Sequence, residues 1–180
     1  MSEASATIEG SQERTFHDVN ASSQLSGKYM TFKLAEEVYG LEILKVREII
    51  GMMDITRVPR TKSFISGVIN LRGKVIPVID LRLKFGMNQI EATDQTVIIV
   101  VQYSFQDRDV TMGILVDEVL EVLNIHKEQI EATSEFGTGA IDADFILGVG
   151  KVDKRIVFLL DIGKVLTSEE KTELARNLVA

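Results

Sequence analysis

The amino-acid sequence predicts an all-β dominated protein, folded as two small antiparallel barrels of about five strands each, with short helices and a C-terminal helix. Two observations lead to this fold class. Apolar residues alternate with polar ones in many short segments, which is the period of a strand with one buried face. The strand pattern also occurs twice along the chain, and closing each copy into a barrel removes exposed sheet edges.

The predicted strands are short and are separated by polar or glycine-containing turns. They comprise residues 29–34, 39–43, 68–71, 75–81, 96–103, 110–116, 118–123, 145–152 and 155–161. Pro77 has no N–H for a strand ladder, so its strand is expected at a sheet edge or a bulge. Near the end of the chain, Thr167 is a suitable N-cap and Glu170 completes a capping box, which predicts a C-terminal helix.

Two other segments depart from the strand pattern. Val46, Ile49 and Ile50 recur at helical spacing, which predicts one or two turns of helix that end at Gly51. Residues 127–144 are rich in Thr, Ser, Gly and acidic side chains, so they are predicted to form a loop.

An internal repeat relates the two halves of the chain. A shift of 81 positions places residues 67–81 on residues 148–162, and a shift of 73 places residues 39–49 on residues 112–122. Apolar positions match over both stretches, as do a glycine and an aspartate near the ends of the longer one. The sequence therefore indicates a duplicated β-unit.

Charge is distributed unevenly along the chain. The net charge is −7, yet residues 45–84 carry nine basic and three acidic side chains, whereas residues 1–44 and 85–180 are acidic. The repeat shows the same division, because residues 70–73 read Asn-Leu-Arg-Gly and residues 151–154 read Lys-Val-Asp-Lys. Matching strand cores with different surfaces indicate two faces for two different partners.

Composition excludes several classes of protein. The absence of cysteine rules out disulfides, thiolate zinc sites and cysteine nucleophiles, and two histidines are too few for a His-rich metal site. No apolar run reaches the roughly 18 residues of a membrane-spanning helix, and no signal-peptide pattern is present. Residues 1–27 hold too little apolar surface to order their backbone, so a disordered or loosely ordered tail is expected before a domain at residues 28–180.

No catalytic constellation is apparent. The sequence has neither a phosphate-binding glycine motif nor a nucleophile elbow. Asp80 and Asp161 occupy matching strand ends, where capping of the following turn is a better explanation than a catalytic carboxylate pair. His126 has no evident partner and is expected to be a surface or capping residue. We therefore predict no enzyme activity, no metal site and no cofactor.

Motifs distributed over the chain resemble a known family. They read Tyr-Gly-Leu-Glu-Ile at 39–43, Val-Arg-Glu-Ile at 46–49, Gly-Val-Ile-Asn-Leu-Arg-Gly at 67–73, Pro-Val-Ile-Asp-Leu-Arg at 77–82, Glu-Phe at 135–136 and Gly-Val-Gly at 148–150. From about Lys28 to the C-terminus, the sequence resembles CheW, the adaptor of bacterial chemotaxis. The resemblance implies two interlocked five-stranded SH3-like barrels.

The same resemblance implies a function and two partners. The protein would tether the histidine kinase CheA, through the CheW-like regulatory domain of CheA, to the cytoplasmic tips of chemoreceptors (methyl-accepting chemotaxis proteins). It would be cytoplasmic and recruited to membrane-associated receptor arrays without inserting into the membrane. The receptor tip is a helical hairpin, which would lie in the groove between the two halves.

Matching positions assign residues to these partners. The implied receptor-binding residues are Val46, Glu48, Gly67, Asn70, Leu71, Arg72 and Gly73, and the implied kinase-binding residue is Phe136. Within this set, Asn70, Leu71 and Gly73 would shape the turn that presents Arg72.

Each assignment has a purely structural alternative. Val46 has the spacing of a core residue, and Gly67 would also suit a positive φ or a close approach between two segments of the chain. Arg72 on a turn is by default a solvated charge, unless it forms a bidentate pair with Glu48 across the barrel. Phe136 would otherwise pack beneath its own loop.

A nucleic-acid-binding barrel is the alternative function, with the basic residues 45–84 as its binding surface. Two features oppose it. That segment and its flank offer only Phe64 and Phe85 for stacking on bases, and the net negative charge would repel phosphates. The resemblance to the chemotaxis adaptor is therefore preferred.

Overall fold

The computed structural model describes residues 24–132 and 144–179, with side chains up to residue 176. Phe136 and nearly all of the predicted tail lie outside the described residues. The strands are β1 (Gly27–Leu34), β2 (Glu37–Glu42), β3 (Val46–Gly51), β4 (Ile65–Leu71), β5 (Lys74–Asp80), β6 (Val97–Phe105), β7 (Arg108–Val116), β8 (Glu118–Ile125), β9 (Ile130–Ala132), β10 (Ile146–Val152) and β11 (Arg155–Leu160). The helices are α1 (Leu81–Lys84) and α2 (Ser168–Val179), and short 3-10 turns cover Ile43–Lys45, Lys127–Gln129 and Ile162–Lys164.

The strands form two sheets, which confirms the predicted mostly-β fold with two barrel-like units. The first barrel is the five-stranded sheet with the order β3-β6-β7-β5-β4, and the second barrel is the six-stranded sheet with the order β8-β1-β2-β11-β10-β9. Each barrel contains one parallel pair, β5 with β7 and β2 with β11, so the prediction of purely antiparallel pairing was wrong. Each parallel pair joins strands from different halves of the chain, so no hairpin connects the two strands.

The two sheets show how the duplicated halves interlock. The sequence offsets place β2 on β7, β3 on β8, β4 on β10 and β5 on β11. With these equivalences the two sheets have the same strand order, apart from the extra β9. Each sheet takes two adjacent strands, β1-β2 or β6-β7, from one half of the chain and its other strands from the other half. Neither half can therefore complete a barrel alone.

The largest hydrophobic cluster joins the two barrels. It contains Phe32 and Leu41 from β1 and β2 together with Ile79, Ile99 and Ile114 from β5, β6 and β7. Two smaller clusters fill the individual barrels, one around Leu159 and the other around Val78. Since the largest cluster is shared, we expect the two barrels to fold and unfold together.

The helix predicted for residues 46–51 is wrong, because this segment is strand β3. It pairs with β6, and the register shifts by one residue between Val46 and Glu48. That irregularity interrupts the alternation of apolar residues, which is why Val46, Ile49 and Ile50 have the spacing of a helix.

Residues 127–144, predicted to be a loop, include the three-residue strand β9. Ile130 and Ala132 are buried, and β9 pairs with residues 148–150 of β10. Three residues are too few for an alternation pattern to be recognised, so the sequence contained no usable signal.

Pro77 lies on β5, an inner strand of the first sheet and not an edge strand, next to a register shift in β4 between Ile65 and Gly67. It faces Val68 of β4, but the backbone N–H and C=O of Val68 both bond to Thr56, each at 2.8 Å. Pairing between β5 and β7 begins only at Val78. The missing N–H of Pro77 therefore leaves no ladder bond unmade.

The predicted C-terminal helix and its capping box are present. The Glu170 N–H donates to Thr167 Oγ1 at 3.1 Å, and the Thr167 N–H donates to Glu170 Oε1 at 2.8 Å. Glu170 also accepts hydrogen bonds from Lys84 Nζ at 2.7 and 2.9 Å, and Leu174 is buried in the shared core. Helix α2 is thereby attached to α1 and to both barrels.

Candidate functional site

The hairpin between β4 and β5 presents Arg72. Leu71 pairs with Lys74, so Arg72 and Gly73 alone form the loop, with φ values of +52° and +85°. Both residues at positive φ are typical of the two-residue turns that match strand twist. The Gly73 N–H donates to Asn70 Oδ1 at 2.9 Å, and Leu71 packs beside the interior cluster of the first barrel. The turn-shaping contacts expected of these residues are present.

Arg72 forms the predicted pair with Glu48. The Arg72 Nη1 atom lies 3.3 Å from Glu48 Oε2, and Nη2 donates to Oε1, so the contact is bidentate. The Arg72 side chain is 73% exposed and that of Glu48 is 30% exposed. The hydrogen bond and the negative charge of Glu48 raise the pKa of Arg72 above its ordinary value.

This pair spans the seam of the first barrel. Glu48 lies on β3 and Arg72 follows β4, and these strands are the two end strands of the sheet. An exposed ion pair adds little stability in water. The pair instead affects geometry, because a bidentate contact holds the exposed guanidinium in one orientation.

Gly67 has a clear structural role. Its φ is +144°, and a Cβ atom at this position would lie 2.2 Å from the carbonyl oxygen of Thr56. In the second barrel, a Cβ on Gly148 would lie 2.9 Å from the carbonyl oxygen of Glu131. The repeated glycine therefore marks a repeated close approach of two segments of the chain, so the structural alternative for Gly67 is confirmed.

Val46 combines two environments. It is half-buried and packs against the core shared by both barrels, which agrees with the structural alternative for this residue. Further along the same strand, Ile49 is exposed. Of the residues assigned from the sequence, the structure thus brings together Glu48 and Arg72 directly, while Val46 and Gly67 support the strands that carry them.

Four apolar residues are exposed although no sequence pattern predicted their exposure. Ile49 and Val75 are exposed on the first barrel, and Val122 and Ile156 are exposed on the second. The repeat was the available signal, because Ile49 matches Val122 at an offset of 73 and Val75 matches Ile156 at an offset of 81. The same positions are exposed in both copies because equivalent strands occupy equivalent places in the two barrels.

The second barrel has its own seam pair. Arg155 Nη2 lies 3.1 Å from Glu121 Oε1, and Glu121 is the counterpart of Glu48. The position equivalent to Arg72 is Asp153, so the cation is supplied by the strand β11 rather than by the turn.

Asp80 and Asp161 serve as caps, as predicted. The Leu83 N–H donates to Asp80 Oδ1 at 3.3 Å, and the Gly163 N–H donates to Asp161 Oδ1 at 3.0 Å. Burial raises the pKa of Asp80.

Arg82 and Asp117 form a second bidentate pair near the junction of the barrels. The distances are 2.7 Å from Nε to Oδ1 and 2.6 Å from Nη2 to Oδ2. The Ala35 N–H also donates to Asp117 at 2.7 Å, which fastens the β1–β2 turn to the first barrel.

In the part of the chain that the structure describes, no group of three or more His, Cys, Asp or Glu side chains is arranged to hold a metal ion. The same residues include no helix long and apolar enough to cross a membrane. Phe136, the residue assigned to kinase binding, lies outside the described residues, so its assignment stays a prediction.

Comparisons with known proteins identify the family. The model of the CheW-like domain matches residues 28–170. The chemotaxis protein CheW of Klebsiella aerogenes is 39% identical over 150 residues, which cover 83% of this chain and 87% of that protein. The chemotaxis protein CheW of Bacillus subtilis is 35% identical over 142 residues, which cover 79% of this chain and 88% of that protein.

A solved structure shows the same fold. The scaffolding protein TtCheW from Thermoanaerobacter tengcongensis aligns with a TM-score of 0.69 and 36% identity, over 81% of this chain and 96% of that one. Glu48 and Arg72 both lie within residues 28–170, which the family model matches. The chain belongs to the CheW family of chemotaxis adaptor proteins.

Proposed function

We propose that this protein is a non-catalytic adaptor that couples the cytoplasmic tips of chemoreceptors to the histidine kinase CheA. Receptors would bind in the groove between the two halves, mainly through residues of the first barrel, and CheA would bind through its own CheW-like regulatory domain. The observation that carries the proposal is the bidentate Arg72–Glu48 pair, displayed on a two-residue turn of a CheW-family domain. The protein would act in the cytoplasm, at arrays of membrane-attached receptors.

The receptor surface is centred on the seam of the first barrel. Arg72 is exposed and held in one orientation, so a partner need not restrict its side chain on binding. Ile49 adds exposed apolar surface on the same strand as Glu48. A charged, oriented group beside apolar surface suits an amphipathic helical hairpin, which docks through apolar anchors with polar groups at their rim.

The kinase surface is assigned to the second barrel. Phe136 falls between β9 and β10 in the sequence, and the second barrel exposes Val122 and Ile156. A CheW-like domain of the kinase would present equivalent apolar positions, so barrel-to-barrel contact is the expected mode of binding. Separate surfaces on two barrels allow one chain to hold both partners at once.

The nucleic-acid alternative is not supported by the family, and two contacts weaken its physical basis. Phe85 stacks on Phe145 with ring centroids 4.6 Å apart, so its face is not free for a base. Lys84 lies 4.5 Å above the Phe64 ring and bonds to Glu170. Both aromatic residues near the basic segment are therefore engaged within the protein.

Receptor binding is tested by co-sedimentation with receptor cytoplasmic fragments and CheA. We compare wild type with Arg72→Ala, using Arg155→Ala as the matched seam variant of the second barrel. Arg72→Ala should reduce recruitment to receptors about tenfold without loss of fold, as for an oriented charged anchor. Equal recruitment of the two variants would refute the assignment of the receptor to the first barrel.

Kinase binding is tested with Phe136→Ala in the same assay. This variant should sediment with receptors as the wild type does but activate less kinase, since removing an aromatic anchor weakens one interface only. Normal kinase activation by this variant would remove Phe136 from the kinase surface.

A further inference from the structure

The most exposed large apolar side chain of the described residues is Leu44, at 84% relative exposure. It lies on the 3-10 turn between β2 and β3. Beside it is a groove of about 420 Å³, lined by residues 26–29 and 42–44. An apolar side chain at the rim of such a groove indicates a surface that another segment covers.

The N-terminal segment, residues 1–23, is the occupant that the chain itself supplies. It joins the described structure at Gln24, directly before the residues that form one wall of the groove. Phe16 is the largest apolar residue of this segment and is nine residues from Leu25. Nine residues of chain can reach about 30 Å at full extension, so Phe16 is close enough along the chain to contact Leu44.

Charge complements this arrangement. Residues 1–23 contain four acidic and one basic side chain. The groove includes Lys28, and Lys45 and Arg47 follow Leu44 along the chain, with Glu42 as the one acidic lining residue. The segment also lies outside residues 28–170, which match the family model.

We propose that residues 1–23 dock on this groove with Phe16 over Leu44. Leu44 immediately precedes the residues that begin β3, the strand that carries Glu48. The docked segment would therefore cover the approach to the Arg72–Glu48 pair and compete with the receptor. Docking stands independently, whereas the competition rests on the proposed function.

Docking is tested by paramagnetic broadening of amide signals in the full-length chain. Because the protein contains no cysteine, Ser11→Cys provides a single attachment site for a spin label. The label should broaden the amides of residues 43–47, and Leu44→Ser or Phe16→Ser should reduce this broadening at least about fivefold by removing the apolar contact. Leu44 is exposed, so its replacement should leave the thermal midpoint unchanged.

Three outcomes would overturn the docking. The first is broadening that is unaffected by Leu44→Ser, and the second is broadening that spreads evenly over the surface. The third is broadening that appears only when two samples are mixed, one carrying the spin label without isotopes and the other carrying isotopes without the spin label. The occupant would then be a second copy of the chain.

Competition is tested by titrating receptor fragments with the same variants. Phe16→Ser should raise the apparent receptor affinity about threefold, because it releases the fraction of molecules in which the surface is covered. An unchanged affinity would refute competition while leaving docking intact. Failure of wild type and Arg72→Ala alike to bind receptor would instead refute the proposed function and leave the broadening result standing.

Discussion

The seams of the two barrels are built from equivalent strands, yet they display different groups. In the first barrel, Glu48 on β3 pairs with Arg72 on a turn, whereas in the second barrel Glu121 on β8 pairs with Arg155 on a strand. Both turns place two residues at positive φ, with Asp153 and Lys154 at +48° and +67° in the second. The backbone of the duplicated unit is thus preserved, while the first position of the turn changes from the positive Arg72 to the negative Asp153.

This difference shows which positions of the unit can change freely. The repeated glycines, Gly67 and Gly148, each avoid a backbone carbonyl of a neighbouring segment. The turn tip touches no such neighbour, because a Cβ added at Gly73 would have no atom within 4 Å. Duplication therefore leaves the tips open to divergence, and partner choice can be set there with little effect on the fold.

The largest expected effect distinguishes the two glycines. Gly67→Ala combines a positive φ with a Cβ only 2.2 Å from the Thr56 oxygen, whereas at Gly148 the corresponding distance is 2.9 Å. We expect Gly67→Ala to lower the free energy of unfolding by about 2–4 kcal/mol and Gly148→Ala by about 1–2 kcal/mol. Urea denaturation measures both.

The control for this pair is Gly51→Ala, where an added Cβ has no atom within 4 Å. It should stay within about 0.5 kcal/mol of the wild type. A Gly67→Ala variant as stable as Gly51→Ala would contradict the close approach between β4 and Thr56.

An intermediate effect is expected from exchanging the charges of each seam. The double variant Glu48→Arg with Arg72→Glu keeps an ion pair but inverts its direction, and Glu121→Arg with Arg155→Glu does the same in the second barrel. Receptor recruitment should fall about tenfold only for the first, if the cation on the turn is what the receptor contacts. Sedimentation with receptor fragments measures this, and full recruitment of the first variant would mean that an ion pair of either direction suffices.

The smallest effect concerns the short helical segments that follow the equivalent strands β5 and β11. Strand β5 is followed by α1, where Lys84 binds Glu170, and β11 is followed by the turn Ile162–Lys164, which Asp161 caps. Burial works to raise the pKa of Glu170, but hydrogen bonds from Lys84 and Thr167 outweigh it, and the pKa lies below its ordinary value. Because the pKa is lower in the folded protein, this group stabilises the fold above about pH 4.3 and loses that effect as the pH falls further.

Glu170→Gln tests the direction of this pH dependence of stability. The variant keeps the capping geometry and should be about 1 kcal/mol less stable than the wild type at neutral pH, with the difference shrinking as the solution is acidified below about pH 4. Glu173→Gln, at an exposed position of the same helix, is the control and should show no such dependence. A difference for Glu170→Gln that persists at low pH would show that the carboxylate charge is not the cause.

Local patterns were the part of the structure that the sequence predicted well. The capping box of Thr167 and Glu170, the caps at Asp80 and Asp161 and the Asn70–Gly73 turn each depend on residues at most three positions apart. Such contacts form wherever the local backbone allows, so residue type and spacing suffice to predict them. The helix assigned to residues 46–51 failed because a register shift in β3 is decided by the partner strand β6.

By itself, the sequence determined the duplicated strands, the turns and the uneven charge that separates the two copies. It also suggested the Arg72–Glu48 pair, but only the tertiary structure decided that β3 and β4 become the two end strands of one sheet and bring these residues together. The exchange of strands between halves was likewise decided by packing, because it depends on one core that both barrels share. Contacts between distant segments are selected by how well the whole core fills, and no local pattern encodes that choice.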